Sequence, residues 1–170
     1  MLQGRVALVT AGGRGVGRAV SRLLAAEGAA IAVNFRRDET SALAVVDDIE
    51  RSGGRAKAYG GSIDDVGAVR SMVDAVMNDF GYVDLLVNNA GIASRGRSVA
   101  DTEPEEVERV VRTLAFGPHY VSQAVLPSMR ARPRGDIVMI SSAAPTTWAR
   151  PPWRLWHSPW RRKRSRTTSV

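Results

Sequence analysis

Apolar and polar positions fall into alternating blocks along this chain. Residues 5–10 (RVALVT) are a continuous apolar run, the pattern of a strand buried on both faces. Val16, Ala19, Val20, Leu23 and Leu24 then follow the i, i+3, i+4, i+7, i+8 spacing that gives a helix one apolar stripe, and Gly28 stops it. Residues 29–35 (AAIAVNF) predict a second strand. Residues 38–51 predict a helix with Leu43, Val46 and Ile49 inward, ended by Gly53-Gly54. A short third strand follows at 55–60 (RAKAYG). Val66, Val69, Val73, Val76, Met77 and Phe80 mark a helix over 64–80, stopped at Gly81. Residues 83–89 (VDLLVNN) predict a fourth strand. The run TEPEE (102–106) reads as a helix start, with Thr102 as N-cap, Glu105 at the capping-box position and Pro104 in the first turn. That helix should reach about residue 130, with a bend near Gly117-Pro118. Residues 136–142 (DIVMISS) predict a fifth strand.

Strands that alternate with helices call for an α/β fold built on a parallel sheet. The alternation stops at Ser142, so the chain divides into a domain over 1–142 and a tail over 143–170. Charge follows the same division. All four tryptophans, at 148, 153, 156 and 160, lie in the tail with seven of the 24 Lys+Arg and none of the 17 Asp+Glu. The remaining 17 basic residues balance the 17 acidic ones, so the whole net charge of +7 belongs to the tail. A basic balance often marks nucleic-acid binding, but the body of this chain is neutral and is not expected to bind it. The absence of cysteine excludes disulfides, thiolate catalysis and cysteine zinc sites. No cluster has metal-ligand spacing. The opening residues read as a strand rather than a signal peptide, and no apolar run approaches the ~18 residues of a membrane span. The expectation is a cytoplasmic protein without membrane contact.

The first turn is TAGGRGVG (10–17), between strand one and helix one. Glycines at this junction let main-chain N–H groups approach a pyrophosphate, and the helix N-terminus adds its positive dipole end. Thr10, Gly12, Gly13, Arg14, Gly15, Val16 and Gly17 are therefore candidate cofactor contacts. The spacing is not G-x-G-x-x-G, and a glycine cluster also serves a plain tight turn. Its place directly after strand one favours the phosphate. An acid at the end of strand two would bind a ribose 2′-hydroxyl, but the stretch there is VNFRR. Guanidinium groups suit a 2′-phosphate, which favours NADP(H) over NAD(H). Arg14 and Arg36 are the favoured contacts, and Arg37 reads as solvating a helix start.

These residues resemble the short-chain dehydrogenase/reductase family, near its 3-oxoacyl-carrier-protein reductase-like branch. The resemblance runs from about residue 3 to Ser142. It rests on TAGGRGVG, on VDLLVNNAG ending in Asn88-Asn89-Ala90-Gly91, on VSQAVLPSM (121–129) and on GDIVMISS (135–142), in order and at family spacing. The resemblance implies a doubly wound Rossmann-type sheet, of which this chain would hold strands in the order 3-2-1-4-5. It implies hydride transfer between a nicotinamide and a small-molecule alcohol or ketone, and a homo-oligomer. In the family the Asn-Asn-Ala-Gly stretch steadies the sheet, so Asn89, Ala90 and Gly91 border the cofactor. Ser62 and Ile63 stand where the family holds the adenine. Ser142 matches the serine that hydrogen-bonds the substrate oxygen; the alternative is a polar strand end.

Four departures matter. Ala11 replaces the leading glycine of the turn. Ser62-Ile63 replaces Asp-Val after strand three. Leu114 stands where an asparagine supports a water-linked proton relay. The family catalyst, Tyr-x-x-x-Lys, is missing: its places relative to Ser142 are Leu155 and Pro159, the only lysines are Lys57 and Lys163, and none of Tyr59, Tyr82 and Tyr120 has a lysine four residues on. His119 and His157 are isolated and read as bystanders. Loss of acid–base assistance alone costs roughly 10²–10⁴ in rate. The tail has three readings: a nucleic-acid or localisation segment, a solvated extension, or an out-of-frame continuation, which is the favoured one. A one-nucleotide shift at Leu155-Trp156 permits tyrosine at the family position, although the next shifted codons do not restore lysine. The sequence thus predicts a family member truncated after strand five, its catalysis impaired or lost, with an apolar fifth strand left as an open edge; the alternatives are a non-catalytic dinucleotide-binding module or a basic nucleic-acid-associated protein acting through residues 146–170.

Overall fold

A computed structural model describes residues 1–92 and 99–141; Ser142 and the tail lie outside the described residues. The elements are β1 (Val6–Val9), α1 (Gly15–Ala26), β2 (Ala30–Phe35), α2 (Glu39–Arg51), β3 (Ala56–Gly60), α3 (Val66–Phe80), β4 (Leu85–Asn88), α4 (Pro104–Val111), α5 (Gly117–Arg130) and β5 (Asp136–Met139). The strands form one sheet in the order β3-β2-β1-β4-β5, and every neighbouring pair is parallel. This is the expected Rossmann-type arrangement.

The alternation of side chains along each strand explains the apolar runs. In β1, Val6 and Leu8 join a core with α3 and α5, including Val69, Val76, Val121 and Val125. Ala7 and Val9 join the opposite core with α2, including Ala42, Val45 and Ile49. A strand between two cores needs apolar residues at every position. At the lower end of the sheet, Arg5 bridges three strands: its guanidinium donates to Asp136 Oδ2 at 2.8 Å, to Asp84 Oδ1 at 3.3 Å and to the Asp84 carbonyl at 2.7 Å. Asp84 also accepts from Val6 N at 3.1 Å.

Several helical details differ from the pattern. The face of α1 is shifted: Gly17 and Ser21 are buried, Val20 and Leu24 pack on the core, and Val16, Ala19 and Leu23 are exposed. Small residues win the inner face because α1 lies close against the turn, where the Ser21 hydroxyl donates to the Gly12 carbonyl at 3.3 Å. In α2 the inner face is Ala42, Val45, Val46 and Ile49, and Leu43 faces solvent, one position off the stripe. The α4 N-cap position is Glu103, not Thr102. The bend near Gly117-Pro118 is a π-helical segment, Arg112–Phe116, between α4 and α5. Pro118 has no N–H to give the Leu114 carbonyl, so the regular ladder breaks there and a wider turn takes its place. Gly117 lets the bend pass close over Ile63, since a Cβ there would lie 2.6 Å from Ile63 Cδ1.

Candidate functional site

The upper ends of the strands surround a cleft of about 520 Å³, lined among others by Gly13, Arg14, Arg36, Ile63, Ala90 and Thr113. This is where ligands bind in open parallel sheets. A larger cavity of about 680 Å³ lies at the opposite end, between the C-terminal ends of α1 and α2, and contains none of the candidate residues. The upper cleft is therefore the candidate site on position and chemistry.

Its floor is the turn after β1. Gly15 opens α1 with φ +49°, and the N-cap position, Arg14, makes no side-chain cap hydrogen bond. The helical ladder begins only with Arg18 N donating to the Arg14 carbonyl at 3.0 Å. The first-turn N–H groups of Gly15, Val16 and Gly17 thus precede the ladder, and the turn carries no acidic residue to neutralise the dipole. Gly13 and Gly17 are needed for space, Gly15 for its positive φ. A Cβ on Gly13 would lie 2.9 Å from Ala42 N, and one on Gly17 would overlap the Ala11 carbonyl oxygen and the Asn89 carboxamide. Ala11 itself has φ +50°, a left-handed conformation that costs an L-residue about 1 kcal/mol. The alanine that replaces the family glycine is therefore strained.

Thr10 and Asn89 brace the turn from β4. The Thr10 hydroxyl donates to the Val87 carbonyl and accepts from Asn89 N and Ala90 N, both at 2.9 Å. The Asn89 carboxamide donates to the Thr10 carbonyl at 2.9 Å and to the Ala11 carbonyl at 3.3 Å. Both residues stand behind the cleft, whereas Ala90 and Gly91 line it. Leu114 reaches Gly91: a Cβ there would meet Leu114 Cδ2 at 3.4 Å.

The rim is basic with acidic partners. Arg14 pairs with Asp38 at 3.3 Å and Arg36 with Asp64 at 3.9 Å, and both arginines stay largely exposed. The Ser62 hydroxyl donates to Asp64 in the same wall. Asp38 is a site residue that the sequence reading passed over. It caps α2 by accepting from Ser41 N at 3.0 Å and from the Ser41 hydroxyl at 2.8 Å. These bonds from Ser41, with the nearby Arg14 charge, hold its carboxyl below the usual range despite some desolvation. The D-x-x-S spacing was the available signal. Asn34, Phe35, Arg37, Ile92 and Thr113 also line the cleft.

The described tyrosines stand elsewhere. Tyr59 donates to Asp79 at 2.7 Å, and Lys57 holds the same carboxylate at 2.7 Å. Burial, then the bond to Asp79, drives the Tyr59 phenol upward, opposite to the shift an acid–base phenol needs. Tyr82 donates to the Gly4 carbonyl, and the Tyr120 ring meets Phe116 at a tilt and His119 edge-on. None of these three phenols lines the cleft. His119 is exposed on α5. Ser142, Lys163 and His157 lie outside the described residues. Among the described residues no group of three or more His, Asp or Glu could hold a metal, and no helix is long and apolar enough to cross a membrane.

The family model for short chain dehydrogenases matches residues 5–149. A versicolorin reductase of Emericella nidulans is 37% identical over 141 residues, covering 83% of this chain and 52% of the relative. The crystal structure of a metagenomic short-chain oxidoreductase in complex with NADP matches with TM-score 0.79 and 33% identity, over 84% of this chain and 64% of that one. A short chain dehydrogenase from Burkholderia cenocepacia in complex with NADP matches with TM-score 0.76 and 38% identity, over 84% and 57%. The chain spans about half the length of the curated relatives it matches. A glycine turn braced by Asn89, an uncapped helix above it and a family match over most of the chain make this protein a member of the short-chain dehydrogenase/reductase family.

Proposed function

We propose that these 170 residues form the NADP(H)-binding part of an oxidoreductase site, and that alone they transfer hydride far below family rates. The observation that carries the binding half is the juxtaposition of an uncapped helix N-terminus with two arginines on one cleft rim. The residues fit the dinucleotide. The main chain of 15–17 offers donors for a pyrophosphate, and the space at Gly13 and Gly17 keeps side chains out of the turn. Arg14 and Arg36 supply charge for a 2′-phosphate, and their partners Asp38 and Asp64 keep them over the cleft. Ser62 and Ile63 form the adenine wall of a cleft that Ala90 and Gly91 also line. Two relatives of similar fold hold NADP, which supports the choice of cofactor. When bound, the nicotinamide supplies or accepts the hydride that interconverts a small-molecule ketone and alcohol. The second half of the proposal rests on the sequence: no Tyr-x-x-x-Lys exists in the chain, and Leu114 offers no polar group for a proton relay. Assembly as a homo-oligomer, as in the family, belongs to this proposal too.

Titration of the purified chain with NADPH, followed by nicotinamide fluorescence, tests the reading. NADPH is expected to bind at least about tenfold more tightly than NADH, and Arg36→Ala to remove most of that preference. Equal affinity for the two cofactors sinks the 2′-phosphate assignment. Oxidation of NADPH by a panel of ketones at ordinary enzyme rates sinks the inactivity claim.

A further inference from the structure

Asn89 holds the outgoing carbonyls of the turn, Thr10 O and Ala11 O, from the β4 side. The incoming amides are held from the β2 side by one residue. Asn34 Oδ1 accepts from Ala11 N at 3.2 Å, and the Asn34 main-chain carbonyl accepts from Gly12 N at 3.0 Å. The other end of the carboxamide faces β3, with Nδ2 3.0 Å from the Gly61 carbonyl and 3.3 Å from the Tyr59 carbonyl. Donor-seeking and acceptor-seeking neighbours thus fix which way the amide points. Asn34 is 2% exposed, in a strand whose neighbours Ala32 and Val33 are apolar. A buried amide in such a strand is costly unless it is satisfied. Here it is satisfied by the phosphate turn on one side and by the strand that leads to Ser62 and Ile63 on the other.

We propose that Asn34 is the positioning residue of this turn: it pins Ala11 in its left-handed conformation and so sets the direction of the main chain through Gly13 to Gly17. The observations that carry this are the two consecutive amides, Ala11 N and Gly12 N, taken by one residue, and the strained φ of +50° between them. An alanine relaxes from that region when nothing holds it. Release of Ala11 would swing its carbonyl, on which Gly17 and Asn89 close, and would move the start of α1 relative to Ala11, Gly13 and Arg14 in the cleft. Asn34 therefore acts on the cofactor without having to touch it. The binding arm of the test rests on the NADP(H) reading above; the melting arm does not.

The test is a double-mutant cycle between Asn34→Ser, whose side chain is too short to reach Ala11, and Ala11→Gly, which removes the strain. While Asn34 holds the turn, Ala11→Gly should raise the thermal midpoint by about 3 °C; in Asn34→Ser the gain should fall below about 1 °C. Asn34→Ser should weaken NADPH binding about tenfold, and adding Ala11→Gly should recover about threefold of it, because glycine reaches the bound conformation without strain. A residue that merely joined β2 to β3 would lower the midpoint with no such coupling. Equal gains from Ala11→Gly in both backgrounds overturn the proposal, as does NADPH binding by Asn34→Ser within about twofold of the native chain. If Asn34→Ser does not fold, the absence of any gain from Ala11→Gly in the native background still overturns it. If the native chain does not bind NADPH, the cofactor reading falls and the melting cycle still judges the latch.

Discussion

β1 and β5 are four-residue strands of the same parallel sheet, separated only by β4. Both carry runs of apolar residues, and their surroundings differ. Val6–Val9 are at most 4% exposed, whereas Ile137, Val138 and Met139 are 39%, 43% and 55% exposed. β1 has strands on both edges, one packed core below and another above. β5 pairs with β4, and among the described residues no strand pairs with its outer edge. An apolar run states what a strand could bury, and its neighbours decide how much it does bury. The same contrast runs through the site. The end of β1 leads into a turn braced from β2 and from β4, whereas the bonds described at the end of β5 both come from Asn88: its carbonyl accepts from Ile140 N at 2.9 Å and its carboxamide donates to Met139 Sδ at 3.2 Å.

The contrast can be broken at its base. Asp84→Ala leaves Arg5 in a largely buried place and removes the acceptor for Val6 N, so it should cost about 4 kcal/mol in denaturant unfolding. A loss below ~1 kcal/mol would show that the strands are not joined there. Leu8→Ala, in the doubly covered strand, should cost about 3 kcal/mol by the same measurement. Acid should act next. Asp136 is held below the ordinary value of 3.8 by its bond from Arg5, and Asp79 by its bonds from Lys57 and Tyr59. A carboxylate whose folded value is depressed contributes stability above the unfolded value, and that contribution is lost as pH falls through the folded one. The midpoint should therefore fall below about pH 4, and Asp136→Asn should flatten the fall; an unchanged profile would remove Asp136 from the account. The smallest effect belongs to the edge. Val138→Lys should change stability by less than ~0.5 kcal/mol and should reduce self-association in sedimentation. A loss near that of Leu8→Ala would mean that the β5 face is covered after all.

Much of this was legible in the chain. The α3 face came out at Val69, Val73, Val76 and Phe80, as its spacing predicts, with Met72 added and Val66 only partly buried, because that helix lies on a mostly apolar sheet face broken by the Asn34 amide. The α1 face did not, because Gly17 and Ser21 are small and periodicity weighs them little. Yet their smallness is what lets α1 approach the turn. Arg14, Arg36, Ser62 and Ile63 were visible as types at the ends of strands, and the fold brings them to one cleft. Asp38 was hidden inside a cap signal, and Asn34 inside an apolar run.

The sequence by itself determined the alternation of strands and helices, the glycine turn, the family and the absence of a Tyr-x-x-x-Lys pair. Each is carried by residue type and local spacing, which need no neighbour distant in the chain. Tertiary structure alone decided that Asn34 and Asn89 close on the same turn, although 55 residues separate them, and that Ala11 is left-handed between them. A hydrogen bond depends on direction as well as proximity, and direction at that range exists only once β2, β1 and β4 lie side by side.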